Sequence, residues 1–136
     1  MNRMRLDVEN KPALEEITPR RLRARILALR SRGPSSFASL TDDRGNYLLA
    51  AGGGLTCMLE RRDVDQGRTF RAFVDKPSKS YPDGSILAFG AGQLQLMADE
   101  WLTSAQVADA FEAFLLGRPL PAVLHWRDQG DALPRV

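Results

Sequence analysis

Apolar residues at helical spacing mark a segment near the start of the chain. Leu22, Ile26 and Leu29 recur every three to four residues, the interval that places side chains on one face of a helix. The preceding Thr18-Pro19 suits the N-cap and the first helical position, because the Thr hydroxyl can accept a backbone N–H and Pro needs no donor there. This pattern predicts a helix over about 19–31.

A second segment with helical spacing lies near the end of the chain. It opens with Thr103-Ser-Ala-Gln106, which is the residue pattern of a capping box. Gly117 and Pro119 follow its last apolar residue and are typical of helix ends. The pattern predicts a helix over about 103–116, with an apolar face formed by Val107, Ala110, Phe111, Phe114 and Leu115.

The remaining apolar residues occur in short runs separated by Gly, Pro and Asp, which is typical of strands and turns. The candidate strands are 5–9, 37–41, 46–50, 55–62, 68–74, 85–89, 93–97 and 123–127. Short strands in succession favour antiparallel pairing, so we expect residues 37–97 to form one antiparallel sheet. The order of elements predicts an α+β fold, an antiparallel meander sheet of about five to seven strands with the two helices packed on it.

The composition is that of an ordinary globular domain, with 136 residues, 43% of them hydrophobic and 26% charged. We expect a single domain over 1–136, with its core in about 17–128 and flexible N- and C-terminal tails. No apolar run approaches the roughly 18 residues of a membrane-spanning helix. The N-terminus lacks the apolar segment of a secretory signal, so the sequence predicts a cytoplasmic protein without membrane association.

Positive charge is concentrated in the first quarter of the chain. Residues 1–33 carry nine Lys or Arg against four Asp or Glu, whereas the rest carry ten against thirteen, for a net charge of +2. Several of these positive charges fall off the apolar stripe of the first predicted helix, and they form either a solvated face or a surface for an acidic partner, nucleic acid included. No nucleic-acid recognition motif and no neighbouring aromatic residue accompanies them, so nucleic acid is not the favoured partner. The residues are Arg20, Arg21, Arg23, Arg25 and Arg30.

Candidate catalytic and metal-binding residues are few. Cys57 is the only cysteine and His125 the only histidine, so no intrachain disulfide can form and a metal site would depend on carboxylates. Both lie in predicted strands, Cys57 among apolar neighbours, which disfavours a Cys–His catalytic pair. Gly52-Gly-Gly54 leads into a strand and not into a helix, so we interpret it as a hairpin turn or bulge and not as a phosphate loop. The sequence predicts a protein that is not an enzyme and that holds no metal or cofactor.

An ordered series of short segments resembles a known protein family. The segments are Tyr47-Leu-Leu-Ala-Ala-Gly-Gly-Gly54, Cys57-Met-Leu-Glu-Arg-Arg-Asp63, Arg68-Thr-Phe-Arg-Ala-Phe73, Ile86-Leu-Ala-Phe-Gly90, Leu94-Gln-Leu-Met-Ala-Asp-Glu-Trp-Leu-Thr103, Val107-Ala-Asp-Ala-Phe-Glu-Ala-Phe-Leu-Leu-Gly117, Leu120-Pro121 and Leu124-His-Trp-Arg127. Over about residues 37–128, this order is similar to immunity protein family one of bacterial polymorphic toxin systems. Members of that family are often paired with toxins of the deaminase fold.

The resemblance implies a cytoplasmic inhibitor that binds a cognate toxin domain, blocks its active site or substrate access, and uses no catalysis or cofactor. It also implies a monomer when free and a one-to-one complex with the toxin. Inhibitors of nucleic-acid-directed toxins are often strongly acidic, because a basic target favours complementary charge. This chain departs from that pattern with its net charge of +2. Either the cognate toxin is not strongly basic, or only the acidic C-terminal part of the chain faces it.

The same resemblance points to acidic and aromatic residues on loops beside the sheet as partner contacts. A toxin that acts on nucleic acid carries positive charge along the path of its substrate, and carboxylates with aromatic anchors complement such a surface. The competing interpretation of each acidic residue is ordinary turn or cap chemistry. The predicted partner-binding residues are Glu60, Asp63, Asp65, Asp99 and Glu100, with Tyr47 and Trp101 as anchors.

Two functions from other classes stay open on the sequence alone. One is a small regulatory protein that contacts nucleic acid through the arginine-rich helix, which salt-dependent retention on DNA or RNA would reveal. The other is a small-molecule-binding or enzymatic domain with its site on the concave face of the sheet. That function requires a deep pocket with converging polar groups.

Overall fold

The computed structural model describes residues 3–130, and within them the chain forms two α-helices and eight strands. In chain order these are β1 (Arg5–Val8), α1 (Pro19–Leu27), β2 (Phe37–Thr41), β3 (Tyr47–Gly53), β4 (Thr56–Asp63), β5 (Arg68–Phe73), β6 (Ser85–Phe89), β7 (Gly92–Leu96), α2 (Ser104–Leu115) and β8 (His125–Asp128). A 3₁₀ helix, Ala98–Glu100, lies just before α2.

Six of the strands form one antiparallel sheet in the order β1-β2-β3-β4-β5-β8. This confirms the predicted α+β fold with an antiparallel meander sheet. The structure differs from the prediction at residues 85–96, because β6 and β7 pair with each other in a separate two-stranded sheet. β8 occupies the place beside β5, while the β6–β7 hairpin packs its apolar side chains on a face of the main sheet.

Both predicted helices are present. α1 begins at Pro19 as predicted, and α2 begins at Ser104, one residue after the predicted start. The Thr18 hydroxyl accepts a backbone N–H of the first turn of α1 at 3.2 Å, and Thr103 and Gln106 form the reciprocal capping box of α2. α1 ends at Leu27, earlier than the predicted boundary, although Leu29 beyond it still packs in the core. Within the described residues, neither helix is long and apolar enough to cross a membrane.

The main hydrophobic core lies between the two helices and one face of the six-stranded sheet. Leu22 and Ile26 of α1 and Phe111 of α2 are fully buried there against strand residues such as Leu48. Leu6 of β1 belongs to the same core, so the ordered core begins upstream of residue 17, where the sequence predicts a flexible tail. The predicted C-terminal tail beyond residue 130 lies outside the described residues.

The opposite face of the sheet is covered in part by the β6–β7 hairpin. Ala51 and Met58 of the sheet pack against Leu87 and Phe89 of the hairpin, in what we call the second core. Phe37 meets Phe89 edge-to-face, with 6.0 Å between ring centroids. The domain therefore has three layers, with helices on one side of the sheet and the hairpin on the other.

Gly53 explains how the segment after α1 approaches the sheet so closely. β3 runs through Gly53, and the turn to β4 falls at Gly54, at the end of the glycine run for which the sequence predicts a hairpin turn or bulge. A Cβ atom at Gly53 would overlap the carbonyl group of Leu29. Glycine is therefore required here for close backbone approach.

Candidate partner-binding site

The side of the sheet that faces away from the helices carries polar residues in a row across the strands. Leu49, Glu60 and Arg71 are successive cross-strand neighbours, and Arg71 in turn faces Arg127 of β8. Directly paired residues project their side chains to the same side of a sheet. The register of the strands therefore brings Glu60, Arg71 and Arg127 together.

Glu60, Arg71, Asp99, Glu100 and Arg127 form a connected set of ion pairs, here called the ionic cluster. Arg71 Nη2 lies 2.6 Å from Glu60 Oε1, and Arg71 Nη1 lies 3.5 Å from Glu100 Oε1. Arg127 Nη1 lies 2.7 Å from Glu100 Oε2, and its two Nη atoms each lie 3.0 Å from an oxygen of Asp99. Glu100 thus joins the two guanidinium groups, one at each of its carboxylate oxygens.

The ionic cluster is largely removed from water. Glu60 and Glu100 are 3% and 2% exposed, and buried carboxylates need charged or hydrogen-bonding partners to replace their hydration. Hydrogen bonds to Asp99 and then to Glu100 raise the pKa of Arg127, so this guanidinium stays charged. Glu60 Oε2 is buried with no hydrogen-bond partner in the described part of the chain.

The ionic cluster also fastens the segment after β7 to the sheet. Arg71 Nη1 donates to the Gln95 carbonyl at 3.0 Å, and the Met97 N–H donates to Glu100 Oε1 at 2.8 Å. Trp101 follows directly along the chain and packs in the second core. The position of the Trp101 indole is therefore held by the ionic cluster on one side and by apolar contacts on the other.

An open cleft of about 760 Å³ lies beside Trp101, between the loop after α1 and the outer edge of β6. Residues 31–34 form one wall and residues 86–90 form the other. Tyr81 stacks on Trp101 at this cleft, with 4.5 Å between ring centroids and 27° between ring planes. A cleft of this size, lined by aromatic residues and a few polar groups, is typical of a binding site.

Two polar atoms of cleft residues, Trp101 Nε1 and Ser31 Oγ, are buried without a hydrogen-bond partner among residues 3–130. Such atoms are rare in folded proteins, because each costs about 1–3 kcal/mol of lost hydration. Glu9, by contrast, is engaged, since its Oε1 accepts from the Ser36 N–H and hydroxyl at 2.8 and 2.6 Å. The two unpartnered atoms therefore lie beneath the lining of the cleft and not at its open surface.

Five of the seven predicted partner-binding residues lie on this side of the sheet or on the segment fastened to it. Tyr47 is the half-buried neighbour of Glu60, and burial, followed by the charge of Glu60, raises the pKa of its phenol. Glu60 and Glu100 lie in the interior and not on an acidic surface, because their carboxylates are buried against arginines. Of the five, Tyr47 and Asp99 keep partial exposure. The full set is Tyr47, Glu60, Asp99, Glu100 and Trp101.

The other two predicted residues, Asp63 and Asp65, lie apart from the ionic cluster at the turn between β4 and β5. Asp63 Oδ1 accepts the Gln66 N–H at 3.1 Å, which is ordinary turn chemistry. Asp65 is exposed and lies 3.6 Å from Arg44 in a surface ion pair. The structure therefore does not bring the seven residues together into one acidic patch, and a role of Asp63 and Asp65 in partner binding stays a prediction.

Sequence reasoning missed Arg71, Arg127 and Ser31, which complete this region. The predicted strand ends at 62 and 68 place Glu60 opposite Phe70. In the structure Asp63 still pairs with Arg68, the turn has only the four residues 64–67, and Glu60 faces Arg71, so local register comes within one residue of that ion pair. No comparable signal exists for Arg127, because the pairing of β8 with β5 skips the intervening hairpin and α2.

Cys57 and His125 lie on opposite sides of the sheet. Cys57 is 2% exposed in the main core, where burial raises the pKa of its thiol to about 12. His125 pairs with Phe73, on the side of the ionic cluster, and its Nε2 lies 2.9 Å from Asp75 Oδ1. The two side chains form no catalytic pair. Across residues 3–130, no three His, Cys, Asp or Glu side chains are grouped so that they could hold a metal ion.

The arginines of α1 are divided between two environments. Arg23 Nη1 lies 2.9 Å from Asp109 and 3.4 Å from Glu112 of α2, and these contacts, that with Asp109 first, raise its pKa. Arg20 and Arg21 are exposed. Part of the positive charge of α1 therefore joins the two helices and is not available to an external partner.

Comparison with protein-family models, with curated proteins and with solved structures found no match. Inference about function therefore depends on the chemistry of the residues and on the order of their segments along the chain.

Proposed function

We propose that this chain is an immunity protein that binds a cognate bacterial toxin domain of the deaminase type and blocks its active site or its access to substrate. The observation that carries the proposal is the open cleft beside Trp101, where Tyr81 stacks on the indole and is itself exposed. Aromatic side chains at an open cleft are suitable anchors for a protein partner. The order of segments over residues 37–128 suggests the class of partner.

The ionic cluster supports binding over catalysis. A general acid or base must reach the proton that it transfers, within hydrogen-bond distance or through one water. Glu60 and Glu100 are buried, and their charges are compensated by Arg71 and Arg127. What the cluster provides is rigidity beside the cleft, and a surface fixed in advance loses less entropy when a partner binds.

The nucleic-acid alternative has weaker support. Phosphate binding requires cations that can replace counterions along the backbone. Arg23, in the middle of α1, is already paired with two carboxylates of α2. The remaining exposed arginines of α1 are not accompanied by an aromatic residue on that helix.

Co-expression in a bacterial host tests the proposal. The proposal predicts that a toxin domain is encoded next to this gene, that this domain arrests growth when expressed alone, and that it loses that effect when this chain is co-expressed. A toxin domain of the same type from an unrelated locus is the control, and it should arrest growth in both cases. Equal arrest by the neighbouring toxin with and without this chain would contradict the proposal.

A further inference from the structure

We infer that the outer edge of β6 receives an extended segment of the toxin partner as an added strand, an inference that rests on the proposed function. Residues 86–90 border the cleft without interruption. Successive side chains of a strand point to opposite faces, so an uninterrupted run borders a cleft only when the backbone edge is turned toward it. Main-chain pairing along a free edge is a general mode of peptide recognition.

The backbone of β6 has unused hydrogen-bonding groups on that edge. Ile86 faces Gln95 of β7, and the Gln95 carbonyl accepts from Arg71, outside the hairpin. Ile86 and Gln95 are therefore a non-hydrogen-bonded pair, and the N–H and C=O of Ile86 point outward, as do those of Ala88 two residues on. Apart from the pairing of β6 with β7, no backbone hydrogen bond to Ile86 or Ala88 is present in the described part of the chain.

Exposed apolar side chains border the cleft on both sides of its mouth. Ile86 is 52% exposed and Tyr81 is also exposed, so apolar side chains of a bound segment have surface to cover. Five residues of extended chain span about 17 Å, which matches the length of β6.

Charge in the cleft favours an acidic residue in that segment. Arg32 lines the cleft, is exposed, and makes no ion pair within residues 3–130. Glu9, the other charged residue of the lining, is already held by Ser36 and lies against Gly90. Arg32 is therefore the exposed charge of the cleft with no ion-pair partner among residues 3–130, and a carboxylate of the bound segment beside it would form one.

Two proline substitutions on opposite edges of the same hairpin provide the test. Ala88→Pro removes an outward N–H from β6, and Gln93→Pro removes the corresponding N–H from the outer edge of β7, since Ala88 and Gln93 face each other. Neither N–H belongs to the pairing between the two strands, so both variants should fold. The probe is the toxin domain encoded next to this gene, inactivated in its own active site and purified, with affinity measured by calorimetry.

Ala88→Pro is expected to weaken toxin binding about tenfold or more, because the N–H that would bond to the added strand is lost and the proline ring would occupy its place. Gln93→Pro should leave the affinity unchanged. Amide exchange at Ile86 and Ala88 should slow in the complex. Arg32→Glu should also weaken binding, more at low salt than at high salt, whereas Arg118→Glu, at the end of α2, should not.

Equal affinities of Ala88→Pro and Gln93→Pro, with normal binding by the parent chain, would overturn this inference and leave the proposed function intact. A parent chain that does not bind the toxin at all would overturn both. Loss of self-association in Ala88→Pro with unchanged toxin affinity would assign the edge to a second copy of this chain and would likewise overturn the inference.

Discussion

Arg71 connects two buried carboxylates that come from distant parts of the chain. Its guanidinium contacts Glu60 on the neighbouring strand and Glu100 after the hairpin. A buried ion pair adds little net stability by itself, but the loss of one partner leaves an uncompensated charge in the interior. The stability of this region should therefore be sensitive to Arg71 in a way that surface arginines are not.

Arg71→Gln is expected to reduce the free energy of unfolding by about 3–5 kcal/mol, because Glu60 and Glu100 would stay buried with less compensation. Arg68→Gln is the matched control, since Arg68 lies on the same strand and pairs with Asp128 at the surface, 3.3 Å away. Its loss should cost less than about 1 kcal/mol. Urea denaturation measures the free energy of unfolding of both variants. An equally small loss in the two would contradict the claim that Arg71 compensates the buried charges of Glu60 and Glu100.

Cys57 provides a test of burial through its ionisation. Its pKa in the folded state is raised to about 12 by burial, above about 8.5 in an unfolded chain. The unfolded state therefore loses this proton first, and the folded state loses stability as the pH rises above about 8.5, with no effect below. Cys57→Ala should lack this component, so stability curves of the two proteins should diverge only at alkaline pH.

In the folded protein at pH 8, the Cys57 thiol should react with a thiol reagent no faster than the protein unfolds locally to expose it. In urea it should react at the rate of an exposed cysteine. Rapid modification of the folded protein would contradict the burial of Cys57 in the main core.

Among the elements, the β6–β7 hairpin shows what local sequence can and cannot predict. Gly90 and Gly92 between two short apolar runs indicate the hairpin itself, and the strands appear at 85–89 and 92–96. Its departure from the main sheet follows from tertiary packing, because Leu87 and Phe89 cover Ala51 and Met58 on a distant part of the chain. Local pattern contains no information on which surface an apolar strand face will cover.

The candidate site was predictable to a similar extent. Residue type alone directed attention to Asp99, Glu100 and Trp101, and these do lie beside the cleft or the ionic cluster. Burial could not be predicted, because an acidic residue before a helix is ordinarily exposed. The arginines that draw Glu60 and Glu100 inward are brought near by strand order and not by sequence proximity.

The start of α2 gives a test at the scale of one element. Thr103→Ala removes the hydroxyl that accepts the Gln106 N–H at 3.2 Å, and should cost about 1 kcal/mol of stability. Ser104→Ala is the control, because Ser104 is the first helical residue and its hydroxyl makes no hydrogen bond in the described part of the chain. Thermal or urea unfolding of the two variants should separate them, and equal stabilities would mean that the capping box contributes nothing.

At the scale of the whole molecule, the two sides of the sheet differ in what they carry. The helices enclose the main core, and part of the N-terminal positive charge is paired within them, because Arg23 of α1 contacts Asp109 of α2. The hairpin side holds the ionic cluster, the stacked aromatics and the cleft. A net charge of +2 does not prevent binding of a basic toxin, because complementarity depends on the charges at the contact surface.

The most direct test of the central claim is a titration of the activity of the toxin domain encoded next to this gene with the purified chain. The account predicts that activity falls linearly to background at one equivalent, and that native mass spectrometry finds a one-to-one complex. Full activity of that neighbouring toxin domain in the presence of a large excess of the folded chain would contradict it.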